Sequence, residues 1–200
     1  MFTGIVQEIG LVSHKEETDA GITLEINTPS RFLKDLNIGA SIAVNGVCLT
    51  VINFSKNKVS FDVIPETLRV TNLKFISKGS EVNLERSLKF GDEVGGHILS
   101  GHVSCTGYSN LIYKDEEVEL LIECPEAWVK YIFLKGYVAI NGASLTVAKK
   151  TDNSFSVFLI PETLNATNLS KISDKDLLNV EVDQTTYAAV KALESRNGEN

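Results

Sequence analysis

Side chains able to do chemistry occur at equivalent positions of two copies of one sequence pattern, and the copies differ at those positions. The first copy has Ile5, Gly39, Cys48 and Asp62, whereas the second has His102, Lys135, Ser144 and Phe158. The first copy thus offers a thiol and a carboxylate, whereas the second offers an imidazole and an amine. The pattern therefore predicts two sites on one scaffold, which bind two molecules of related shape in different roles.

The two copies share that scaffold at a constant offset of 96 residues. ASIAVNGVCLTV aligns with GYVAINGASLTV, and SFDVIPETLRVTNL aligns with SVFLIPETLNATNL. Residues 41–73 and 137–169 have 16 identities in 33 positions, where unrelated sequences of average composition would give roughly 2. FTGIV also resembles LSGHV, at an offset of 97. The repeat is a whole small domain rather than a short solenoid unit.

Short apolar runs broken by turn residues dominate both copies, which predicts an all-β chain with about six short strands in each copy. Closing each set of strands into a small barrel removes the exposed edges of a small sheet. We predict one barrel in residues 1–96 and a second in residues 97–183. The segment SLKFGDEVGGH, with three glycines, connects them. Residues 184–200 are predicted to form a C-terminal helix and tail.

Three helices are expected beside the strands. TPSRFLKDL and CPEAWVKYIF each place a proline where a short helix would begin, with Phe32 and Trp128 plugging one end of each barrel. QTTYAAVKALESR contains good helix formers and has Tyr187, Val190 and Leu193 along one side. This apolar stripe is expected to pack on its own domain or, equally, on a neighbouring subunit.

Charge and motif content exclude several function classes. The formal net charge of −7 and the absence of a Lys/Arg-rich run argue against binding to nucleic acid or to an anionic membrane. We expect a cytoplasmic chain, because no signal peptide or 18-residue apolar run is present and three cysteines without CxxC spacing suit a reducing compartment. Dinucleotide, P-loop and HExxH motifs are absent. His97 and His102 lack a third ligand nearby, so no metal is expected.

The repeated motif NG-x-[CS]-LTV is a candidate ligand site. Cys48 and Thr50, and likewise Ser144 and Thr146, are two residues apart and point to one face of a strand. Facing inward at a barrel mouth, each pair could bind the edges of a flat heterocycle. The alternative is that both threonines are ordinary strand residues. The IPETL motif also has two interpretations, because it could bind a ligand or be only a turn that enters a short helix.

His102 follows Ser100 and Gly101, which allow a ligand to approach closely. An imidazole there is suited to general acid–base catalysis near neutral pH. The alternative is a structural histidine satisfied by backbone groups.

The motifs MFTGIV, NGVCLTV, GGHILSGHV and NGASLTV, two copies of PETL-x-x-TNL, and Asp183 resemble riboflavin synthases of the two-repeat, lumazine-binding type. The resemblance implies a six-stranded Greek-key barrel in each half and a C-terminal helix that assembles a homotrimer. It also implies active sites between the first barrel of one subunit and the second barrel of another. The implied reaction is a dismutation of two 6,7-dimethyl-8-ribityllumazine molecules, without cofactor or metal. The resemblance further implies a possible association with lumazine synthase.

The same resemblance assigns residues to two half-sites. The first would use Phe2 over a ligand ring, together with Gly4, Ile5, Val6, Ser41, Cys48, Leu49, Thr50, Asp62, Val63, Ile64, Pro65, Glu66 and Thr67. The second would use Gly101, His102, Val103, Lys135, Ser144, Leu145, Thr146, Ile160, Pro161, Glu162, Thr163, Leu164 and Asn165. The catalytic candidates are His102, Cys48, Ser41, Thr146, Ser144 and Asp183.

Two hypotheses follow for the chemistry. His102 with Thr146 would assist removal of a proton from the C7 methyl group, while Cys48 or a hydroxyl near Ser41 would assist addition at the partner ring. The alternative function is a non-catalytic protein of the same fold that binds lumazine or flavin. Retention of Cys48, His102 and Lys135 favours the enzyme, because a binding module has less reason to keep them. A nucleic-acid-binding barrel is disfavoured by the charge.

Overall fold

The computed structural model describes residues 1–114 and 117–197, and it contains two closed barrels of six antiparallel strands. The first barrel has β1 Glu8–Thr18, β2 Gly21–Asn27, β3 Ser41–Val44, β4 Val47–Phe54, β5 Lys58–Val63 and β6 Glu81–Arg86. The second has β7 Cys105–Lys114, β8 Glu117–Glu123, β9 Tyr137–Ile140, β10 Ala143–Lys150, β11 Ser154–Leu159 and β12 Leu177–Val182. The strands fall within the two predicted domains, whose end points stay predictions.

Strand order is the same in both barrels. It runs β1-β2-β5-β4-β3-β6 in the first barrel and β7-β8-β11-β10-β9-β12 in the second. Three consecutive strands, β3 to β5, are flanked by β6, which returns beside β3, and this is a Greek key. The predicted all-β architecture of two tandem six-stranded Greek-key barrels is confirmed. A separate apolar core fills each barrel.

Four α-helices accompany the barrels among the described residues: α1 Pro65–Val70, α2 Glu126–Val129, α3 Pro161–Ala166 and α4 Gln184–Asn197. The helix predicted in TPSRFLKDL is not formed. That segment makes successive turns instead, with N–H groups bonding to carbonyls three residues back, such as Phe32 N to Pro29 O at 3.0 Å. Phe32 is nevertheless buried in the first core, which confirms its packing role.

The C-terminal helix α4 is confirmed, and it packs on its own barrel. The Tyr187 ring lies 4.8 Å from that of Tyr131 and 6.1 Å from that of Trp128, and Val190 packs against the same core. Leu193 is 59% exposed, so the outer end of the apolar stripe is uncovered in one chain. No helix in the described part of the chain is long and apolar enough to cross a membrane. Residues 198–200 of the predicted tail lie outside the described residues.

A symmetric network of buried asparagines joins the two barrels. The side-chain Nδ2 of Asn83 donates to the carbonyl of Asn141 at 2.9 Å, and Nδ2 of Asn179 donates to the carbonyl of Asn45 at 2.8 Å. The Oδ1 atoms of Asn83 and Asn179 accept from the backbone N–H groups of Asn168 and Asn72, both at 2.7 Å. Buried amides that are fully paired fix one arrangement of the barrels.

Candidate active site

The polar residues of the repeated strand motif lie on the outer face of each barrel. Leu49 points into the first core, whereas Cys48 is half-buried and Thr50 is exposed. Ser144 and Thr146 repeat the arrangement on β10. Side chains alternate between the faces of a strand, and the inward side chains fill a barrel this small. The prediction of an inward-facing polar pair is therefore wrong, and any ligand would lie against the outside of the barrel.

Burial divides the predicted site residues into two groups. The buried ones are Phe2, Gly4, Leu49, Val63, Gly101 and Leu145. The exposed or half-buried ones are Ile5, Val6, Ser41, Cys48, Thr50, Asp62, Ile64, Pro65, Glu66, Thr67, His102, Val103, Lys135, Ser144, Thr146, Ile160, Pro161, Glu162, Thr163, Leu164, Asn165 and Asp183. Leu49, Val63 and Leu145 belong to the barrel cores. From there they could offer a ligand only their backbone groups.

On the first barrel, small polar groups form a row across neighbouring strands. Ser41 on β3 pairs with Thr50 on β4, and Asp62 on β5 pairs with Thr23 on β2. The Thr23 hydroxyl donates to Asp62 Oδ1 at 2.7 Å. This face therefore presents hydroxyls, a carboxylate and the Cys48 thiol.

On the second barrel, two of the four equivalent positions are aromatic. Tyr137 stands where the first barrel has Ser41 and pairs with Thr146, and Phe158 replaces Asp62 and pairs with Glu119. Lys149 Nζ lies 5.6 Å above the Phe158 ring. This face can stack on a flat ring but has no carboxylate at the Asp62 position.

Two short segments cross between the barrels, and they reverse the predicted grouping. We call residues 2–6 and 99–103 the crossing segments; Phe2 and Leu99 pair as an isolated antiparallel bridge. The Ser144 N–H donates to the Gly4 carbonyl at 2.8 Å, and the Cys48 N–H donates to the Gly101 carbonyl at 2.9 Å. Each segment therefore lies over the barrel other than the one to which the sequence assigned it.

The close approach requires glycine at both crossing points. Gly101 has φ +79°, and a Cβ built there would lie 2.6 Å from the Cβ of Cys48. Gly4 has φ +75°, and its Cβ would lie 2.5 Å from the Cβ of Ser144. A side chain at either position meets both backbone strain and a steric clash.

This reversal changes the chemistry of each half-site. Val103 packs against the first core and Val6 against the second. His102 and Ile5, which precede these valines and are exposed, therefore lie on the first and the second barrel respectively. We define the first half-site as Ser41, Cys48, Thr50, Asp62 and His102. We define the second half-site as Ile5, Lys135, Ser144, Thr146 and Phe158. The predicted grouping of His102 with Ser144 in one chain is wrong, because alignment of the copies shows equivalence and not location.

Phe2 was predicted to cover a ligand ring. Its side chain is 1% exposed and packs with Ala43, Leu99 and Ala139 in a small cluster between the barrels. In this packing the ring closes the junction beneath the crossing segments, and a contact with ligand stays a prediction.

His97 is a functional candidate that sequence reasoning rejected. Its Nδ1 lies 2.7 Å from the Ser144 hydroxyl, and its ring stacks on Tyr137 with centroids 5.1 Å apart. Burial lowers the pKa of His97, although the charge of Asp183 partly opposes this. His97 Nε2 is buried without a partner among the described residues. The GGH motif carries the signal, but the rejection of His97 assumes a strand, and residues 97–102 form no regular strand.

Asp183 has a structural task in one chain. Its Oδ1 accepts from both the N–H and the hydroxyl of Thr186 at 2.7 Å, which caps the start of α4. A catalytic role for Asp183 stays a prediction.

The IPETL motifs do enter short helices, with Pro65 and Pro161 at their first turns. Glu66 is exposed and bonds to Arg69 at 2.6 Å, and this bond lowers the pKa of Glu66. Pro65 lines a cavity of about 410 Å³ beside the first barrel, with Ile22, Leu68 and the cationic Arg69. The motif therefore provides exposed backbone and side-chain groups at the strand end.

The remaining thiols are not site groups. Cys105 and Cys124 are buried, and a hydrogen bond with Cys124 together with burial raises the pKa of Cys105. The raised pKa keeps the Cys105 thiol protonated, and burial shields both thiols from solvent reagents. Within residues 1–114 and 117–197, no three His, Cys, Asp or Glu side chains are grouped to hold a metal ion.

Two closed Greek-key barrels in one chain are the architecture of a tandem lumazine-binding protein, and the family described as "Lumazine binding domain" matches residues 3–87 and again residues 100–183. The riboflavin synthase of Escherichia coli (strain K12) is 41% identical over 196 residues, which cover 97% of this chain and 92% of that protein. The chain belongs to the riboflavin synthase family, as the sequence motifs predicted.

Solved structures share the fold. LumP complexed with riboflavin has a TM-score of 0.84 and 27% identity, covering 92% of this chain and 100% of that one. LumP complexed with 6,7-dimethyl-8-(1'-D-ribityl) lumazine has a TM-score of 0.83 and 25% identity, with the same coverage.

Proposed function

We propose that this chain catalyses the dismutation of two molecules of 6,7-dimethyl-8-ribityllumazine. One molecule transfers a four-carbon unit to the other, which gives riboflavin and 5-amino-6-(D-ribitylamino)uracil. The observation that carries the proposal is that one scaffold presents two half-sites of different chemistry. Two identical substrate molecules must act as donor and acceptor, so two sites of like shape and unlike side chains are what the reaction needs. The similarity to the E. coli enzyme and to a lumazine-bound protein supports it.

The reaction needs no external oxidant or reductant, because the carbon unit lost by one molecule is gained by the other. Catalysis then depends on holding two rings in reacting geometry, which contributes about 7–11 kcal/mol in favourable cases. Outer barrel faces suit this task, because a ring lying on one face leaves its other side free for a second ring.

For the proton transfers, we propose that the first half-site supplies His102 beside Cys48. His102 would take the proton from the C7 methyl group of one substrate, while the Cys48 thiol or the Ser41 hydroxyl would assist addition at the partner ring. The predicted pairing of His102 with Thr146 would join two different chains, because in one chain these residues belong to different half-sites. Ser144, bonded to His97, and Lys135 would orient the ring and its ribityl chain on the second barrel.

For assembly, we propose a homotrimer in which the first half-site of one chain faces the second half-site of another. Thr50 and Thr146 are exposed on the two faces, and Leu193 leaves an apolar position open on α4. Sedimentation equilibrium would test this: a mass of three chains is expected, and a monomer at micromolar concentration would contradict it. We further propose a cytoplasmic location and an association with lumazine synthase, which co-sedimentation of the two purified proteins would test.

The direct test of activity is incubation of the purified chain with 6,7-dimethyl-8-ribityllumazine alone, without added metal or cofactor. Riboflavin and the pyrimidine product are followed by absorbance and chromatography. Equal amounts of the two products are expected. Tight binding of the lumazine without turnover would contradict the enzyme and indicate a ligand carrier.

A further inference from the structure

Two buried carboxylates hold the crossing segments, and they occupy equivalent positions of the two copies. Glu85 on β6 and Glu181 on β12 are each 3% exposed, and neither forms an ion pair with the described residues. Glu85 accepts from the N–H and hydroxyl of Thr3 at 2.6 and 2.8 Å and from the Gly4 N–H at 3.1 Å. Glu181 accepts from the N–H and hydroxyl of Ser100 at 2.8 and 2.7 Å and from the Gly101 N–H at 3.1 Å.

These bonds continue into the half-sites. Glu181 holds the Gly101 N–H, and the Gly101 carbonyl accepts from Cys48 on the other barrel. The Ser100 hydroxyl, fixed by Glu181, also accepts from the N–H of His102 at 3.1 Å. The other crossing segment has the same connection. Glu85 accepts from the Gly4 N–H, and the Gly4 carbonyl accepts from the Ser144 N–H. Each carboxylate is thus linked through one glycine to the reactive strand of the opposite barrel.

Burial alone does not favour these residues. Burying a carboxylate is costly, and burial raises the pKa of both Glu85 and Glu181 despite the hydrogen bonds that oppose it. An apolar side chain at either position would avoid that cost, but it would leave two N–H groups and a hydroxyl of the crossing segment without this acceptor. The two oxygens of a carboxylate can together accept from two consecutive N–H groups and a hydroxyl of the same segment.

We infer that Glu85 and Glu181 are positioning residues that clamp the crossing segments over the opposite barrels. Glu181 sets Gly101 and His102 on the first half-site, and Glu85 sets Gly4 and Ile5 on the second. This deepens the proposed function and rests on it for its catalytic meaning. The clamp itself is a property of the folded chain and can be measured without turnover.

The test compares Glu181→Gln with Glu85→Gln, each variant being the matched control of the other. A glutamine retains the volume, but its NH2 group cannot accept from the glycine N–H. In Glu181→Gln, amide hydrogen exchange at Cys48 should accelerate about tenfold while exchange at Ser144 stays as in the wild type, because local opening releases only the bonds of one segment. Glu85→Gln should show the reverse pattern.

Alkylation by iodoacetamide, followed by peptide mass spectrometry, gives a second readout. Cys48 should react faster in Glu181→Gln than in Glu85→Gln, while buried Cys105 and Cys124 stay unreactive and report an intact second barrel. Unchanged Cys48 exchange and reactivity in a folded Glu181→Gln chain would overturn the inference. Equal effects of both variants at both sites would also overturn it, because they would indicate general loosening.

If Glu181→Gln fails to fold, Ser100→Ala keeps the carboxylate and removes one of its three donors. Cys48 exchange should then rise by a smaller factor, and no change would contradict the clamp. A wild-type chain that binds but does not convert the lumazine would contradict the proposed function. The exchange patterns would still show whether Glu85 and Glu181 hold the crossing segments.

Discussion

The first and second half-sites occupy the same place on the same fold, yet they present different groups to a ligand. Ser41, Cys48 and Asp62 give the first a thiol, a hydroxyl and a carboxylate. Ser144 and Phe158 give the second a hydroxyl and an aromatic ring, and neighbouring Tyr137 adds another ring with its own hydroxyl. At outward-facing positions the chemical class of the side chain changes, whereas the inward positions stay apolar even where the residue differs, as at Phe61 and Val157. Duplication of a barrel therefore leaves the outer face free to diverge without cost to the core.

The crossing segments add a second lesson. Because each segment lies over the opposite barrel, neither half-site belongs to one copy alone. His102, encoded in the second copy, serves the first half-site, and this separates the two half-sites further. An isolated barrel would have its polar row but not the residues that cover it.

The largest expected effect comes from breaking a crossing point. Gly101→Ala should lower kcat/KM at least about 10²-fold, because displacing reacting groups by about 1 Å has that cost and the new Cβ would press on Cys48. Gly4→Ala should do the same at the second half-site. The control is Gly91→Ala, whose φ is also positive but whose Cβ would meet nothing within 4 Å. Steady-state kinetics with the lumazine measure all three, and near wild-type activity of Gly101→Ala would refute the crossing geometry.

His102→Gln sharpens the chemical contrast. It should lower kcat by about 10²-fold, the usual contribution of a general acid or base, with a smaller change in KM. His14→Gln is the matched control, since the His14 side chain is 60% exposed. An unchanged kcat for His102→Gln would assign this residue a purely structural role.

The shared scaffold predicts equal losses from equivalent asparagines. Asn179→Ala and Asn83→Ala should each lower the free energy of unfolding by about 2–3 kcal/mol, because each leaves buried donors and acceptors unpaired. Urea unfolding at one pH measures both. Values that differ by more than about 1 kcal/mol would show that the two-fold network is not energetically symmetric.

A smaller effect is expected from His97. Since burial holds its folded pKa below 6.5, the unfolded chain binds the proton more readily, and stability is lost as pH falls from about 6.5 through the folded pKa. Tyr137 stacks on the ring, and the charge of Asp183 reduces the effect. Urea unfolding at several pH values should show a shallower acid-side loss in His97→Gln than in the wild type. Identical slopes would count against a buried neutral imidazole.

The smallest effect concerns Lys135, whose φ is +64° where the first copy has Gly39. Lys135→Gly should raise the free energy of unfolding by about 1 kcal/mol, because it relieves a left-handed backbone. It should also raise KM several-fold with kcat retained, since the ammonium group is expected to bind substrate rather than react. Thermal melts would measure the stability, and a Lys135→Gly chain less stable than the wild type would contradict backbone strain at this position.

Sequence reasoning predicted the barrels because alternation and turn residues are local signals, and both copies repeated them. It identified Cys48, Ser144 and the glycines of the crossing segments because duplication aligned them. It failed on two points, of which only the first depends on tertiary packing. Alignment could not show that Gly101 crosses to Cys48. The alternation of apolar Val47, Leu49 and Val51 with Cys48 and Thr50 does indicate the core face, and the inward-facing interpretation ran against it. His97 was missed because its contact with Ser144 joins residues 47 positions apart.

The measurement that tests the account most directly is complementation between two impaired chains. His102→Gln damages the first half-site and Ser144→Ala the second, so a mixed assembly contains some sites with two intact halves from different chains. Co-expressed chains should recover about a quarter of the wild-type activity if the trimer forms at random, well above either variant alone. Activity no higher than the average of the two variants would contradict an active site built from unlike half-sites of two chains.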